Sequence, residues 1–443
     1  MARAELRRAS GRHDRTRQRH RGEQRGPRGH PRPCGGGRGP GPRAEKAAMT
    51  LFESSSRATA GDAPASRDFV FTFSYESFAD ARRRGMMRPP DRLVANLMSS
   101  ARVRRLLVAD PFRSWLTCVP RALFDLPYRA RQTEKVRHVG PLRLARADPI
   151  AIDEIGATYL AYEKALRVAS DRAHLDAPAF VTTNPLAAGF CALPWTSDAL
   201  YYARDDWSSS PARLRYWPAY REAYARIRDS GRPVAAVSAE IIERIAPRGP
   251  HLVVPNGIEP AEWLAPQPDP PAWFARIPGP RATYVGTLDS RLDMEGIATL
   301  ANSHPQLSIV LIGPAPDSTY IRDLRTLSNV HLHGEVRRDE VVAVLRNTEV
   351  TLLAHRKTPL TEAMSPLKVY EYLAAGRPVL ATDLAPVRGL DDRVLLADSV
   401  ADFVDLIDRA LALGVADEDR RRRYVTDNAW STRHEQILSL LRT

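Results

Sequence analysis

Short apolar runs alternating with helical patterns recur from about residue 68 to the end of this chain, and that alternation sets the fold class. The first block holds DFVFTFS (68–74), VRRLLVA (103–109), AFVTT (179–183) and PVAAVS (233–238), and HLVVP (251–255) lies just beyond it. A second block holds RATYVG (281–286), LSIVLIG (307–313), NVHLHG (329–334), EVTLLA (349–354), RPVLAT (377–382) and VLLA (394–397). Runs this short and this continuously apolar belong to parallel sheets covered by helices on both faces. Helical spacing predicts helices at 89–101, 154–172 and 216–228, and then near 292–302, 318–327, 337–347, 366–375, 400–413, 419–429 and 432–442. The reading is α/β, with two Rossmann-like domains in series, 67–248 and 249–425, facing across a cleft. A C-terminal helix in 426–443 is expected to pack back on the first domain. Ligands of such sheets bind beyond the carboxyl ends of the strands, so the loops after the strands carry the chemistry.

Composition agrees with that class. The chain has 443 residues, 43 % hydrophobic and 26 % charged, which suits buried cores and no disordered whole. No uncharged apolar run approaches the ~18 residues of a membrane span. Three scattered cysteines, Cys34, Cys118 and Cys191, give neither a disulfide framework nor zinc spacing, and they fit a reducing, cytoplasmic setting. Residues 1–48 hold thirteen arginines and one lysine against four acids, so +10 of the net +13 sits there. This Arg/Gly/Pro-rich stretch, with the small polar residues that follow to position 66, is expected to be a disordered tail and linker. It reads as an arm for phosphate backbones, as a solvated tail, or as residues preceding a start at Met49. No aromatic residue is interleaved for base stacking, which speaks against nucleic acid.

The stretch MSPLKVYEYLAAGRPVLAT, 364–382, carries the most chemistry. Ser365 is placed as an N-cap, Pro366 at the first helical position and Gly376 just past the end of a helix over 366–375. The N-terminus of that helix offers unpaired amides at Leu367 and Lys368, the positive end of the helix dipole and the Lys368 ammonium. Together they form an anion site. Glu371, one turn on, shares the face of Lys368, and its carboxylate can accept both hydroxyls of a ribose.

SPLKVYEYLAAGRPVLAT resembles the nucleotide-sugar signature of GT-B glycosyltransferases of the retaining, glycogen-synthase-like (group 1) kind. YVGTLDSRLD (284–293), VVPNGIE (253–259), LSIVLIGP (307–314) and NVHLHGEVRRDEV (329–341) resemble further strand-loops of the same family. The match covers roughly 235–400, and DALYYARDDW (198–207) followed by VAAVSAEIIERI (234–245) is similar to bacterial members that build cell-surface polysaccharides. The resemblance implies a nucleoside-diphosphate sugar as co-substrate, with no further cofactor and no metal. It implies Gly286 and Thr287 near the donor phosphates, Lys368 and the first amides of its helix on the diphosphate, and Glu371 on the ribose. Gly334, Glu335 and Val336 would flank the nucleobase, with Gly313 and Pro314 nearby. The sequence departs from the family at Ala363, where many relatives carry a second Glu, and at Arg291, which stands alone where many have an Arg and a Lys.

Transfer with retention needs no side-chain nucleophile, since a leaving-phosphate oxygen can take the acceptor's proton, and no glycosidase-type pair of carboxylates stands out. Asp205–Asp206 reads either as an acceptor-binding pair or base, or as a loop start before Trp207. His355, at a strand's carboxyl end, is a candidate contact for sugar or phosphate. Asn184 and Trp195 follow first-domain strands and are acceptor-side candidates. His331 and His333 are expected to pack or to face solvent rather than to bind metal, and Asn256–Gly257 to form a tight turn. The acceptor is expected to be a carbohydrate, free or lipid-linked, and a lipid-linked one implies peripheral contact with the inner face of the membrane. Two other readings stay open: a sugar-nucleotide epimerase of the same fold, and a non-catalytic nucleic-acid-binding protein that uses the tail.

Overall fold

A computed structural model of the chain describes residues 66–116, 132–146 and 148–442. The first half contributes β1 (Arg67–Thr72), β2 (Val103–Ala109), β3 (Arg113–Ser114), β4 (Val136–Val139), β5 (Leu142–Arg143), β6 (Ala179–Thr182), β7 (Asp198–Ala203), β8 (Val234–Ala236) and β9 (His251–Val253). Seven of these form one parallel sheet in the order β4-β2-β1-β6-β7-β8-β9, and β3 pairs with β5 apart from it. The second half contributes β10 (Arg281–Val285), β11 (Ser308–Ile312), β12 (Val330–His333), β13 (Val350–Leu353), β14 (Val379–Thr382) and β15 (Val394–Ala397). They form a parallel sheet in the order β12-β11-β10-β13-β14-β15. The central strands are buried along their whole length, as expected when helices cover both faces.

Each sheet runs outward in both directions from its first strand. β1 has β2 on one side and β6 on the other, and β10 lies between β11 and β13. Where the order reverses, the loops leaving the strands part and open a crevice at the carboxyl ends. In the first half the crevice lies between Ser74–Tyr75 and Asn184; in the second it lies between Gly286–Thr287 and His355.

Two expectations need correction. β9 pairs with β8, so the first sheet runs past the expected boundary at residue 248 to Val253; this exposed run takes the open edge of β8. The helix expected near 318–327 is only a short 3-10 turn, Asp323–Thr326. There the Asp317 carboxylate accepts from the Thr319 amide at 2.9 Å and its hydroxyl at 2.6 Å, which favours a turn over a helix start. The strands β3, β4 and β5 carry too few apolar residues to show in the periodicity.

The helix Trp430–Leu438 lies against the helix Pro89–Ser99, and Ile437 and Leu441 join the first-half core. The Arg442 amide ties the same segment to Asp198 at 2.9 Å. The halves also meet where Ser238 Oγ donates to the Ala363 carbonyl at 2.7 Å. Ala363 is 1 % exposed and packs in the first-half core. Among the described residues no helix is long and apolar enough to cross a membrane. The expectation for residues 1–66 falls almost wholly outside the described residues, as do Cys34 and Cys118; Cys191 is buried and free.

Candidate functional site

The helix Leu367–Ala374 stands between β13 and β14, with its first turn at the second crevice. Its far end closes as the sequence implies. Gly376 takes φ +75, its amide bonds to the Leu373 carbonyl at 2.9 Å, and the Arg377 amide bonds to Tyr372 at 3.1 Å, a Schellman ending. Its near end differs from expectation. Pro366 rather than Ser365 is the N-cap, and no side chain caps the turn. The Ser365 carbonyl is instead held by Asn256 Nδ2 at 2.7 Å, and Ser365 is buried. Asn256, read from sequence as a simple turn residue, is therefore the clamp that fixes the entry to this helix. The first helical amides point outward without intrahelical partners, with the positive end of the dipole behind them.

Lys368 crosses from this first turn to β10. Its ammonium lies 3.1 Å from the Tyr284 hydroxyl and 4.8 Å from that ring's centroid, within cation–π range. The same hydroxyl donates to the Thr287 carbonyl at 3.2 Å. Gly286 (φ +152) faces the lysine so closely that a Cβ there would stand 2.9 Å from Lys368 Cε, Lys368 Nζ and the Tyr284 hydroxyl oxygen. Gly313 (φ +141) packs on the Gly286 carbonyl, and the Pro314 carbonyl accepts from the Leu288 amide at 2.9 Å. Two glycines thus bring the loops after β10 and β11 into backbone contact beside a held ammonium. Close backbone, cation and helix N-terminus form an arrangement that can hold a polyanion.

His355 lies behind this group, fully buried, with its ring 6.1 Å from Tyr284 and edge-on. Burial, and then the charges of Lys368 and Arg291, push the imidazole pKa well below its usual range, so it is neutral. Neither ring nitrogen has a hydrogen-bond partner among the described residues. Those nitrogens are sealed from solvent, so the expected direct contact of His355 with a ligand is not what this geometry offers. Arg291 is committed to Asp289 through Nε at 2.9 Å and Nη2 at 2.7 Å. That bond holds the guanidinium pKa up.

Glu371 is not an open carboxylate. It pairs with Arg338 at 2.6 Å, just after the loop of Gly334, Glu335 and Val336. Arg338 also grips Glu262 at 2.6 Å, and Glu262 pairs with Arg92 of the first half. A chain of alternating charge therefore runs from Glu371 across the cleft. Gly334 faces open space, and Glu335 and Val336 line a charged recess with Arg338 on one side and Glu76, Arg84 and Arg88 on the other. His333 stacks on Trp273 with ring centroids 3.9 Å apart, and His331 is half-buried on the same strand.

The two aspartates part company. Asp206 is buried, accepts from the Ser208 amide at 3.1 Å and its hydroxyl at 2.7 Å, and pairs with Arg244. It therefore holds its loop rather than facing a ligand. Asp205 lines an interdomain cleft of about 940 Å³ with Trp207 and Arg244 from the first half and Asp289, Arg291 and Met364 from the second. Asn184 caps the helix Pro185–Phe190, accepting from the Leu186 amide at 2.9 Å, and its amide nitrogen donates to Tyr159 at 3.1 Å. Trp195 packs against the first-half core.

Comparison with known proteins meets this geometry from outside. Residues 279–412 match the family model for group 1 glycosyl transferases. TuaH of Bacillus subtilis, assigned as a teichuronic acid biosynthesis glycosyltransferase, is 24 % identical over 164 residues. That match covers 35 % of this chain and 41 % of TuaH, so the chain spans about two-fifths of the curated relative it matches. Among solved structures, sucrose-phosphate synthase from Thermosynechococcus elongatus superposes with a TM-score of 0.59 at 14 % identity, over 84 % of this chain and 98 % of that one. The Anabaena protein HepE, solved in complex with UDP, gives 0.56 at 12 % identity over 84 % and 99 %. At such identities the structural likeness speaks for the fold, which is GT-B.

Proposed function

We propose that this chain, which carries a group 1 glycosyltransferase domain in a GT-B fold, moves a sugar from a nucleoside-diphosphate sugar to an acceptor hydroxyl with retention of configuration. The observation that carries this reading is the ammonium of Lys368, held by Tyr284 against Gly286 at a helix N-terminus in the second crevice. A diphosphate is the ligand whose charge fits that set. In transfer the bond from the anomeric carbon to the phosphate oxygen breaks and the bond to the acceptor oxygen forms on the same face. The acceptor's proton passes to a leaving-phosphate oxygen. Negative charge grows on the diphosphate, and the preorganised ammonium and amides meet it there without a divalent cation. Glu371, oriented by Arg338, receives the ribose hydroxyls, and the loop 334–336 receives the base.

The acceptor comes from the first half across the cleft, with Asp205 on its path. TuaH's assignment to teichuronic acid biosynthesis supports polysaccharide or glycoconjugate synthesis as the setting, at the cytoplasmic face of the membrane when the acceptor is lipid-linked. A thermal-shift panel of UDP, GDP, ADP and their sugars tests the reading. At least one should stabilise the protein, by about 2.7 kcal/mol at a hundredfold excess over its dissociation constant, and Lys368→Ala should abolish the effect. Stabilisation by none of them would contradict it.

A further inference from the structure

The first crevice holds a separate pocket of about 230 Å³, which suits one sugar ring with a single charged substituent. Its walls are aromatic: Tyr75, Phe112, Tyr159, Tyr216 and Tyr220 line it, with Asn184 at the base. The Tyr75 and Tyr220 hydroxyls meet at 3.0 Å, and Asn184 fixes Tyr159, so the walls are tied to one another. Flat rings with hydroxyls at their rims are how proteins receive a sugar's apolar face and its hydroxyl edge.

Three arginines line the same space, Arg113, Arg143 and Arg213, against one carboxylate, Asp148. Arg143 pairs with Asp148. Arg113 donates to the Tyr75 carbonyl and lies 3.6 Å from Asp80, which already holds Arg83 at 2.9 Å. Arg213 stacks over the Tyr75 ring at 3.9 Å, and no carboxylate pairs with it among the described residues. Two guanidinium groups thus converge on Tyr75, one through its ring and one through its carbonyl, and the pocket keeps an excess of positive charge. Tyr75 also meets Trp207 edge-on at 4.5 Å, and Trp207 lines the interdomain cleft that reaches Arg291. The pocket and the interdomain cleft thus stand on either side of the Tyr75–Trp207 contact.

We propose that this pocket is an acceptor subsite and that it selects a sugar carrying an anionic group, a carboxylate or a phosphate, read by Arg213 and Arg113. The proposal rests on the transferase reading, and it names the acceptor class that reading leaves open. Charge-assisted hydrogen bonds from a guanidinium strengthen binding by roughly 10-fold to 100-fold.

The test uses the full chain and three probes, methyl β-D-glucuronide, glucose 6-phosphate and methyl β-D-glucoside, titrated by calorimetry. The uronate, the phosphate or both should bind at least ~10-fold more tightly than the neutral glucoside, and the one that does identifies the anionic group. Arg213→Ala and Arg213→Gln should erase that preference, and Arg213→Lys should keep part of it. UDP stabilisation should stay at the wild-type level in all three variants, which also shows that they fold. Equal binding of charged and neutral probes, or an undiminished preference in Arg213→Ala, overturns the proposal. Failure of the transferase reading looks different: UDP would not stabilise the wild-type protein at all.

Discussion

At the crevice of the second sheet the converging groups are an ammonium, two glycines and the start of a helix; at the crevice of the first they are four tyrosines, a phenylalanine and arginines. The topology that opens them is the same, a parallel sheet growing both ways from its first strand. What differs is how the loops are finished. Glycine lets backbone approach a polyanion closely and leaves charge and amides to bind it. Aromatic walls instead measure shape and leave a few charges to pick the ligand. One molecule thus has a crevice suited to a diphosphate and another suited to a ring.

The contrast is broken most severely at Lys368. Lys368→Ala should lower transfer by at least ~100-fold with the melting temperature little changed, as expected for one preorganised donor to a developing oxyanion. Steady-state kinetics beside a melting curve decide it, and near-normal turnover would sink the assignment. Next comes Gly286→Ala, whose methyl group would crowd the lysine and the Tyr284 hydroxyl. It should weaken UDP binding by roughly tenfold, the cost of misplacing one charged hydrogen bond. Unchanged affinity in calorimetry would show that the close approach has no role.

Arg338→Ala should raise the donor KM by about tenfold with a smaller change in kcat, because it releases the carboxylate that receives the ribose. Combined with Glu371→Gln it should add little, since the two act as one unit. Full additivity would separate them.

Acid distinguishes the crevices as well. His355 lies buried and neutral beside Lys368 and Arg291, so its folded pKa is below the ordinary 6.5. The unfolded chain then binds the extra proton first. Stability is fully present above pH 6.5 and falls as pH drops, with a slope approaching 1.4 kcal/mol per unit. His434, driven to about 3 by burial and then by Arg92, adds the same sign from outside the crevice. His355→Asn should flatten only its own share between pH 6.5 and 5, as read from urea midpoints. A slope equal to wild type would mean that the imidazole protonates in place. The smallest effect is expected at the first crevice, where Asn184→Ala removes a helix cap worth about 1 kcal/mol.

Much of the second half was legible because its strands are buried on both faces. The run RATYVG marks β10, and EVTLLA marks β13, to within a residue or two. Lys368 and Gly376 were readable for a local reason, since helix ends are written in neighbouring residues. What escaped was set by distant partners. Ser365 is a good cap in isolation, yet Asn256, 109 positions away, takes hold of its carbonyl and fixes a different entry. Arg338 meets Glu371 only because the loops after β12 and β13 come together in space. Asp206 could have been read better, because Asp followed two residues on by Ser is itself a turn pattern. The first crevice was nearly silent, because Tyr75, Tyr159, Arg113 and Arg213 come from four separate segments with no spacing to join them.

The most direct test of the account is a crystal structure of the full chain with UDP. The expected result is a pyrophosphate oxygen about 2.8 Å from Lys368 Nζ, its neighbours on the amides that open the helix Leu367–Ala374, and the ribose on Glu371. A nucleotide bound elsewhere, with Lys368 still resting on Tyr284, would contradict it.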